Sequence, residues 1–213
     1  MTRGVGRVSS RAPDPALVLA SGSPRRLALL RQLGLDPEVR VPDVDERALP
    51  GEAPRDQLLR LAGMKADTVA DALADTITRA APSHAVPVVL GADTMIVHAG
   101  EALGKPRDRA HFLQLMRRLG GTAHNVCTAV TVRRGSHRDA VLVTSEVRLA
   151  TFGRERASAY WASGEPADKA GGYAVQGRGA RFVVSLSGSY SNVVGLPLFE
   201  SARLLEAAGL VLD

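Results

Sequence analysis

The chain carries one cysteine, Cys127, in 213 residues. An internal disulfide framework is therefore excluded, and a lone thiol suits a reducing cytosol. Aromatic residues are scarce, at 4%. They are not interleaved with basic residues as in proteins that stack single-stranded bases, so nucleic acid is disfavoured as a partner. No apolar run reaches membrane-spanning length, and no membrane partner is expected. The first residues are charged but lack the apolar stretch of a secretory signal, which points to a cytoplasmic location. Residues 1–15, rich in Gly, Arg, Ser and Pro, read as a flexible tail ahead of a single domain over 16–213. Five histidines are scattered singly, without a metal-ligand pair at helical spacing.

What is present is a hydrophobic content of 45%, enough for a sizeable core, and a net charge of +5. The basic balance favours anionic partners such as nucleotides, nucleic acid or acidic lipid. It leaves the oligomeric state open, a homodimer included.

The periodicity predicts an α/β unit: a mixed twisted sheet with flanking helices, bent into two lobes around a central cleft. Strands are expected at 17–20 and 38–41, and helices at 24–33 and from Pro54 to about Thr78. A connector follows at 81–87. Buried strand residues run from Val86 to Val97, with a break at Gly91-Ala92-Asp93-Thr94. A helix over 107–119 buries Phe112, Leu115, Met116 and Leu119. Residues 124–133 and 140–150 form a hairpin around Arg134-Gly135-Ser136-His137. A short helix at 154–162, a glycine-rich stretch at 168–179, a strand at 181–187 and a closing helix at 198–208 complete the pattern.

The most informative segment is Leu17-Val18-Leu19-Ala20-Ser21-Gly22-Ser23-Pro24-Arg25-Arg26. A buried strand runs into a tight turn that opens a helix. Ser23 stands at the cap position, and Pro24 where its missing N–H costs nothing. Free backbone N–H groups and the positive helix end then sit beside two guanidinium groups, a ready phosphate site. The plainer alternative is a helix start with two solvated arginines.

Other segments carry candidate chemistry. Lys65 lies within the apolar stripe Leu58, Ala62, Val69 and Leu73, where an ammonium either finds an anion or snorkels to water. Asp93 ends a buried run, placed to hold a divalent ion, to take a proton from water, or to make a plain turn hydrogen bond. Asp45 and Glu46 matter if the fold brings them to Asp93, since oxygens from separate segments suit Mg²⁺. Gly100-Glu101-Ala102-Leu103-Gly104-Lys105 is one residue short of a P-loop, and Pro106 stands where a metal-binding hydroxyl is required. A Walker site is rejected, although Lys105 can still meet phosphate as a point charge. In the stretch from Asp168 and Lys169 to Gly177, Gln176 offers the donor and acceptor that match the edge of uracil or thymine.

Taken together, Ser21-Gly22-Ser23-Pro24-Arg25-Arg26, Asp45-Glu46, Lys65-Ala66, Gly91-Ala92-Asp93-Thr94, Gly104-Lys105-Pro106, Asp168-Lys169-Ala170-Gly171 and Val193-Val194-Gly195-Leu196-Pro197 resemble the Maf family of nucleoside triphosphate pyrophosphatases. The likeness runs from about Leu17 to Leu205. It implies a Maf/ITPase-like fold and hydrolysis of the α–β phosphoanhydride to a monophosphate and pyrophosphate, with a divalent metal, Mg²⁺ or Mn²⁺. By the same resemblance, Asp93, Glu46 and Lys65 are expected as catalytic residues, with Glu46 and Asp93 on the metal. Ser21, Ser23, Arg25, Arg26, Thr94, Lys105, Asp168, Lys169 and Gln176 are expected on the substrate. Gly-Ala-Asp-Thr with Tyr173 and Gln176 is similar to the dTTP/UTP branch, and the 7-methyl-GTP branch is the alternative specificity. Other readings are a regulatory binding module in septum formation and a phosphatase releasing orthophosphate.

Overall fold

A computed structural model describes residues 16–80 and 86–212, with residues 77–80 described by backbone only. The expected tail at 1–15 and most of the connector at 81–87 lie outside the described residues.

Seven strands form one mixed sheet. They are β1 (Leu17–Ala20), β2 (Glu38–Val39), β3 (Val88–His98), β4 (Glu101–Leu103), β5 (Ala123–Arg134), β6 (His137–Leu149) and β7 (Val183–Ser187). The order is β2-β1-β3-β5-β6-β7, with β4 paired on the far end of β3. β1 runs parallel to β2 and β3, while β3, β5, β6 and β7 are antiparallel neighbours. The helices are α1 (Pro24–Gln32), α2 (Pro54–Ala80), α3 (Arg109–Leu119), α4 (Arg154–Trp161), α5 (Tyr190–Val194) and α6 (Leu198–Ala207).

The expected break at 91–94 is absent. β5 pairs with β3 without interruption from Val89 to Val97, so residues 91–94 keep their ladder partners. What ends there is the neighbour on the other side. β1 stops at Ala20, opposite Gly91, and the chain turns into α1. Asp93 therefore lies just beyond the end of β1, on a strand that continues past it.

Other expectations shift at their edges: β2 ends at Val39 rather than 41, β3 starts at Val88 rather than 86, and β6 starts at His137 rather than 140. α3 starts at Arg109 rather than 107 because Asp108 caps it, its carboxylate accepting from the His111 amide at 2.8 Å. The strand expected at 181–187 starts at Val183, after a 3₁₀ turn over Arg178–Phe182. β4 and α5 were not expected. Both are too short to show a period, at 3 and 5 residues.

The core is divided. Leu19, Leu30, Leu90, Val130, Leu196 and Leu205 pack one face of the sheet beneath α1 and α6. On the opposite face α2 lays Leu58, Ala62, Ala66 and Val69 against β1, β3 and β5. A second body forms around Phe112, Met116, Tyr160, Tyr173 and Phe182, at the far end of β3 and β5. A cleft lies between the bodies.

α2 reaches the sheet because position 91 is glycine. A Cβ there would stand 2.5 Å from the Ala62 carbonyl oxygen and 2.6 Å from the Ala66 nitrogen. Only a bare backbone admits the helix at that distance. The same approach carries Lys65, one residue before Ala66, down beside Asp93.

Candidate active site

The cleft holds a cavity of about 610 Å³, lined on one side by the β1–α1 turn and α2, and on the other by β3, residues 103–105, the 168–176 segment and α5. Ser21, Ser23, Arg25, Arg26, Glu46, Lys65, Asp93, Thr94, Lys105, Asp168, Lys169 and Gln176 all line it. Residues separated by up to 155 positions are thus brought to one cavity by the strand order.

Its centre is Lys65. The side chain is 10% exposed, and its Nζ stands 2.6 Å from Asp93 Oδ1 and 2.6 Å from Glu46 Oε1. The alternative of an ammonium snorkelling to water is overturned, because the stripe position places it against two carboxylates. Glu46 is reached from the loop after β2 and is 60% exposed. Desolvation pushes its carboxyl upward, but the hydrogen bond and charge of Lys65, with Lys105 and Arg26, outweigh that and hold it below the ordinary value. Asp45, the neighbouring acid, turns away and is held by Arg47, with its carboxyl lowered to about 2 by that hydrogen bond.

The two arginines of the turn separate into different places. Arg26 is 8% exposed. Its Nε donates to the Gly195 carbonyl at 2.9 Å, Nη1 to Ser21 Oγ at 3.0 Å, and Nη2 to Thr94 Oγ1 at 3.1 Å. Burial lowers its pKa, partly countered by Asp93. Thr94 passes the chain on to Thr128 Oγ1 at 2.9 Å, and Thr128 donates to the Asn192 carbonyl. Arg26 therefore braces β1, β3 and α5 together. All three of these hydrogen-bond acceptors are neutral, so Arg26 adds positive charge to the cavity wall. Arg25 is half-buried and projects toward Asp168, 3.9 Å from Oδ2.

Ser23 occupies the N-cap position of α1, yet its side chain makes no cap hydrogen bond. The expected cap is absent, since the hydroxyl is not turned onto the helix. The first amides of α1 are left without a side-chain acceptor, and Ser23 to Arg26 line the cavity, an arrangement that suits an anion.

Opposite, Asp168 pairs with Lys169, and that bond holds the aspartate carboxyl below its ordinary value. Gln176 is exposed at the rim. Tyr173 is 6% exposed. Its hydroxyl sits 2.6 Å from His124 Nε2. Gly195, which lines the cavity, belongs to the Val193-Val194-Gly195-Leu196-Pro197 motif, whereas His124 and the braces Thr128 and Asn192 are site-supporting groups that sequence reasoning did not single out. They sit on strands or behind the cavity wall and leave no periodic signal.

For a metal, the donor set is two carboxylates from separate segments, with no His, Cys or third acid. Among the described residues no group of three or more His, Cys, Asp or Glu is placed to hold an ion. Hard oxygens few in number fit Mg²⁺ or Mn²⁺, which rely on substrate phosphates and water for the remaining positions.

The sheet and cavity define an α/β protein whose cleft brings a carboxylate–lysine centre and the N-terminus of α1 together. The chain belongs to the Maf family: the model described as Maf-like protein matches residues 16–208. It is 51% identical over 203 residues to a protein of Anaeromyxobacter dehalogenans named dTTP/UTP pyrophosphatase, covering 93% of this chain and 96% of that one. A protein of the same name from Methylococcus capsulatus is 47% identical, covering 94% of each chain. One from Vibrio cholerae is 44% identical, covering 89% of this chain and 96% of its own. The solved structure of the Staphylococcus aureus Ham1 protein aligns with 16% identity and a TM-score of 0.42, over 63% of this chain and 72% of that one. Among the described residues no helix is long and apolar enough to cross a membrane.

Proposed function

We propose that this protein is a nucleoside triphosphate pyrophosphatase that acts on dTTP and UTP. The observation that carries the reading is the single ammonium of Lys65 holding Asp93 and Glu46 in a cavity that Arg25, Arg26, Lys105 and Lys169 also line. The names of its relatives give the substrate class.

Water attacks the α-phosphorus, the α–β bridging bond breaks, and pyrophosphate leaves. The water proton passes to the Asp93 carboxylate. Lys65 aims that carboxylate through the 2.6 Å ion pair, since its ammonium is carried on α2. Arg25, Lys105 and the open N-terminus of α1 hold the phosphates and meet the charge that grows on the leaving group. Gln176 reads the pyrimidine edge from the rim. Asp93 and Glu46 would hold a divalent metal, Mg²⁺ or Mn²⁺, which when bound neutralises the triphosphate and lowers the pKa of a coordinated water. The single cysteine suits a cytoplasmic setting.

The test is a panel of nucleoside triphosphates assayed for pyrophosphate and for orthophosphate with each metal. Pyrophosphate from dTTP and UTP ahead of purine triphosphates is the expected result. Orthophosphate as the product would assign a phosphatase instead. Binding of an acidic partner without turnover would favour the regulatory module.

A further inference from the structure

Gln176 sits on a segment with almost no regular structure. Residues 165–182 make three 3₁₀ turns, Glu165–Asp168, Ala170–Gly172 and Arg178–Phe182, and none of them pairs with the sheet. A side chain offered from such a segment discriminates only if the segment is held. The holding group is a buried phenol paired with a half-buried carboxylate. Tyr160, on α4, is 1% exposed and packs its ring against Phe112 and Phe182. Its hydroxyl donates to Glu165 Oε1 at 2.6 Å and accepts from the Ala174 amide at 3.1 Å. The Glu165 carboxylate also accepts from the Arg178 amide at 2.8 Å and the Gly179 amide at 3.0 Å.

Ala174 precedes Gln176 by two residues, and Arg178 follows it by two. Both feet of the Gln176 loop are therefore tied to one Tyr–Glu pair. The glycines in the loop make room for it. A Cβ at Gly177 would lie 2.4 Å from Glu165 Oε2, and one at Gly179 2.4 Å from the Tyr160 hydroxyl. Burial raises the Tyr160 phenol, and Glu165 adds to the rise. The Glu165 carboxyl is pushed up by burial but ends below its ordinary value, because Tyr160 and the two amides donate to it. Phenol and carboxylate thus keep their donor and acceptor roles across neutral pH.

We propose that Tyr160 and Glu165 are positioning residues that clasp the Gln176 loop and thereby set which nucleobase the enzyme accepts. Neither touches substrate, and the claim rests on the reading of Gln176 given above. Removing the clasp leaves the phosphate side of the cavity intact, since Lys65, Asp93 and the α1 terminus are held by the sheet and by α2.

The experiment compares Tyr160→Phe, Glu165→Gln and Gln176→Ala in the full-length protein, with kcat and KM for dTTP, UTP, dCTP and GTP. Tyr160→Phe is expected to raise KM for dTTP about tenfold with kcat within about twofold, and to cut the dTTP preference over dCTP by about tenfold, the scale of one lost hydrogen-bonded contact. Glu165→Gln keeps an accepting oxygen and is expected to show a smaller shift in the same direction. In the Gln176→Ala background, Tyr160→Phe is expected to change selectivity no further. Lowered Tm with unchanged substrate ratios in both clasp variants would overturn the proposal, as would additive effects with Gln176→Ala. If Tyr160→Phe does not fold, Glu165→Gln carries the same comparison. Failure of the underlying reading looks different: the unaltered protein then releases no pyrophosphate, or Gln176→Ala alone leaves selectivity intact.

Discussion

Replacing Lys65 by Met removes the charge at the centre of the cavity and keeps most of the side-chain volume. The consequence can be worked for Glu46. Its oxygen lies 2.6 Å from the ammonium, and its side chain is 60% exposed, so a water-like dielectric is the conservative choice. Coulomb's law then assigns the contact about 1.6 kcal/mol. Loss of that contact is therefore expected to raise the Glu46 pKa in Lys65→Met, by the equivalent of about 1.6 kcal/mol. The greater burial of Lys65 and Asp93, 10% and 16% exposed, makes this a lower bound. The sign follows from the removed cation, which favours the ionised acid. Carboxyl ¹³C NMR of the metal-free protein measures it, with Glu46→Gln identifying the resonance. An unmoved Glu46 titration in Lys65→Met would refute the contact and the charge argument built on it.

Asp93→Asn is expected to lower kcat by about 10²-fold or more, the range of general-base effects, while KM changes little; near-normal turnover in a folded variant would remove the proton-accepting role. Ser23→Asp should close the open helix end, raising stability by about 1 kcal/mol in denaturant unfolding while raising KM for dTTP by repelling phosphate. An unchanged KM would mean that the α1 terminus does not meet the substrate. His124 is 3% exposed with Nδ1 unpartnered, and burial, helped by His98, lowers its pKa from 6.5 to about 4. The unfolded chain takes up this proton first, so the stability it contributes is complete above pH 6.5 and is lost as pH falls toward 4, amounting to about 3 kcal/mol. His124→Gln, which can still pair with Tyr173, should flatten the fall of Tm across that window, and an equally steep fall would show that another group titrates there.

Much of the fold was legible because its long elements repeat. The stripe that includes Leu58, Ala62 and Val69 identified α2, and Val141, Val143 and Val147 alternate along β6. The end of β1 at Ala20 was visible in Ser-Gly-Ser-Pro, and with it the place of the site. The continuity of β3 through Gly91 was hidden, because a glycine demanded by helix packing looks like a turn glycine until the helix is in place. Lys65 was legible as an anomaly on an apolar stripe, though its double pairing depends on a loop that only tertiary structure brings near. The two adjacent arginines carry no sequence signal that one is a buried brace and the other a half-buried side chain turned toward Asp168. That division follows from α1 turning position 26 inward to Thr94 and Gly195. The clasp of Tyr160 and Glu165 was silent for the same reason, since a buried phenol in a short helix reads as packing.

The central claim is that water opens the α–β bond of a pyrimidine triphosphate in this cavity. ³¹P NMR of dTTP incubated with the protein and Mg²⁺ or Mn²⁺ tests it most directly. dTMP and pyrophosphate are expected in equal amounts, with both signals suppressed in Asp93→Asn. Appearance of dTDP with orthophosphate, or the same products at an undiminished rate from Asp93→Asn, would contradict it.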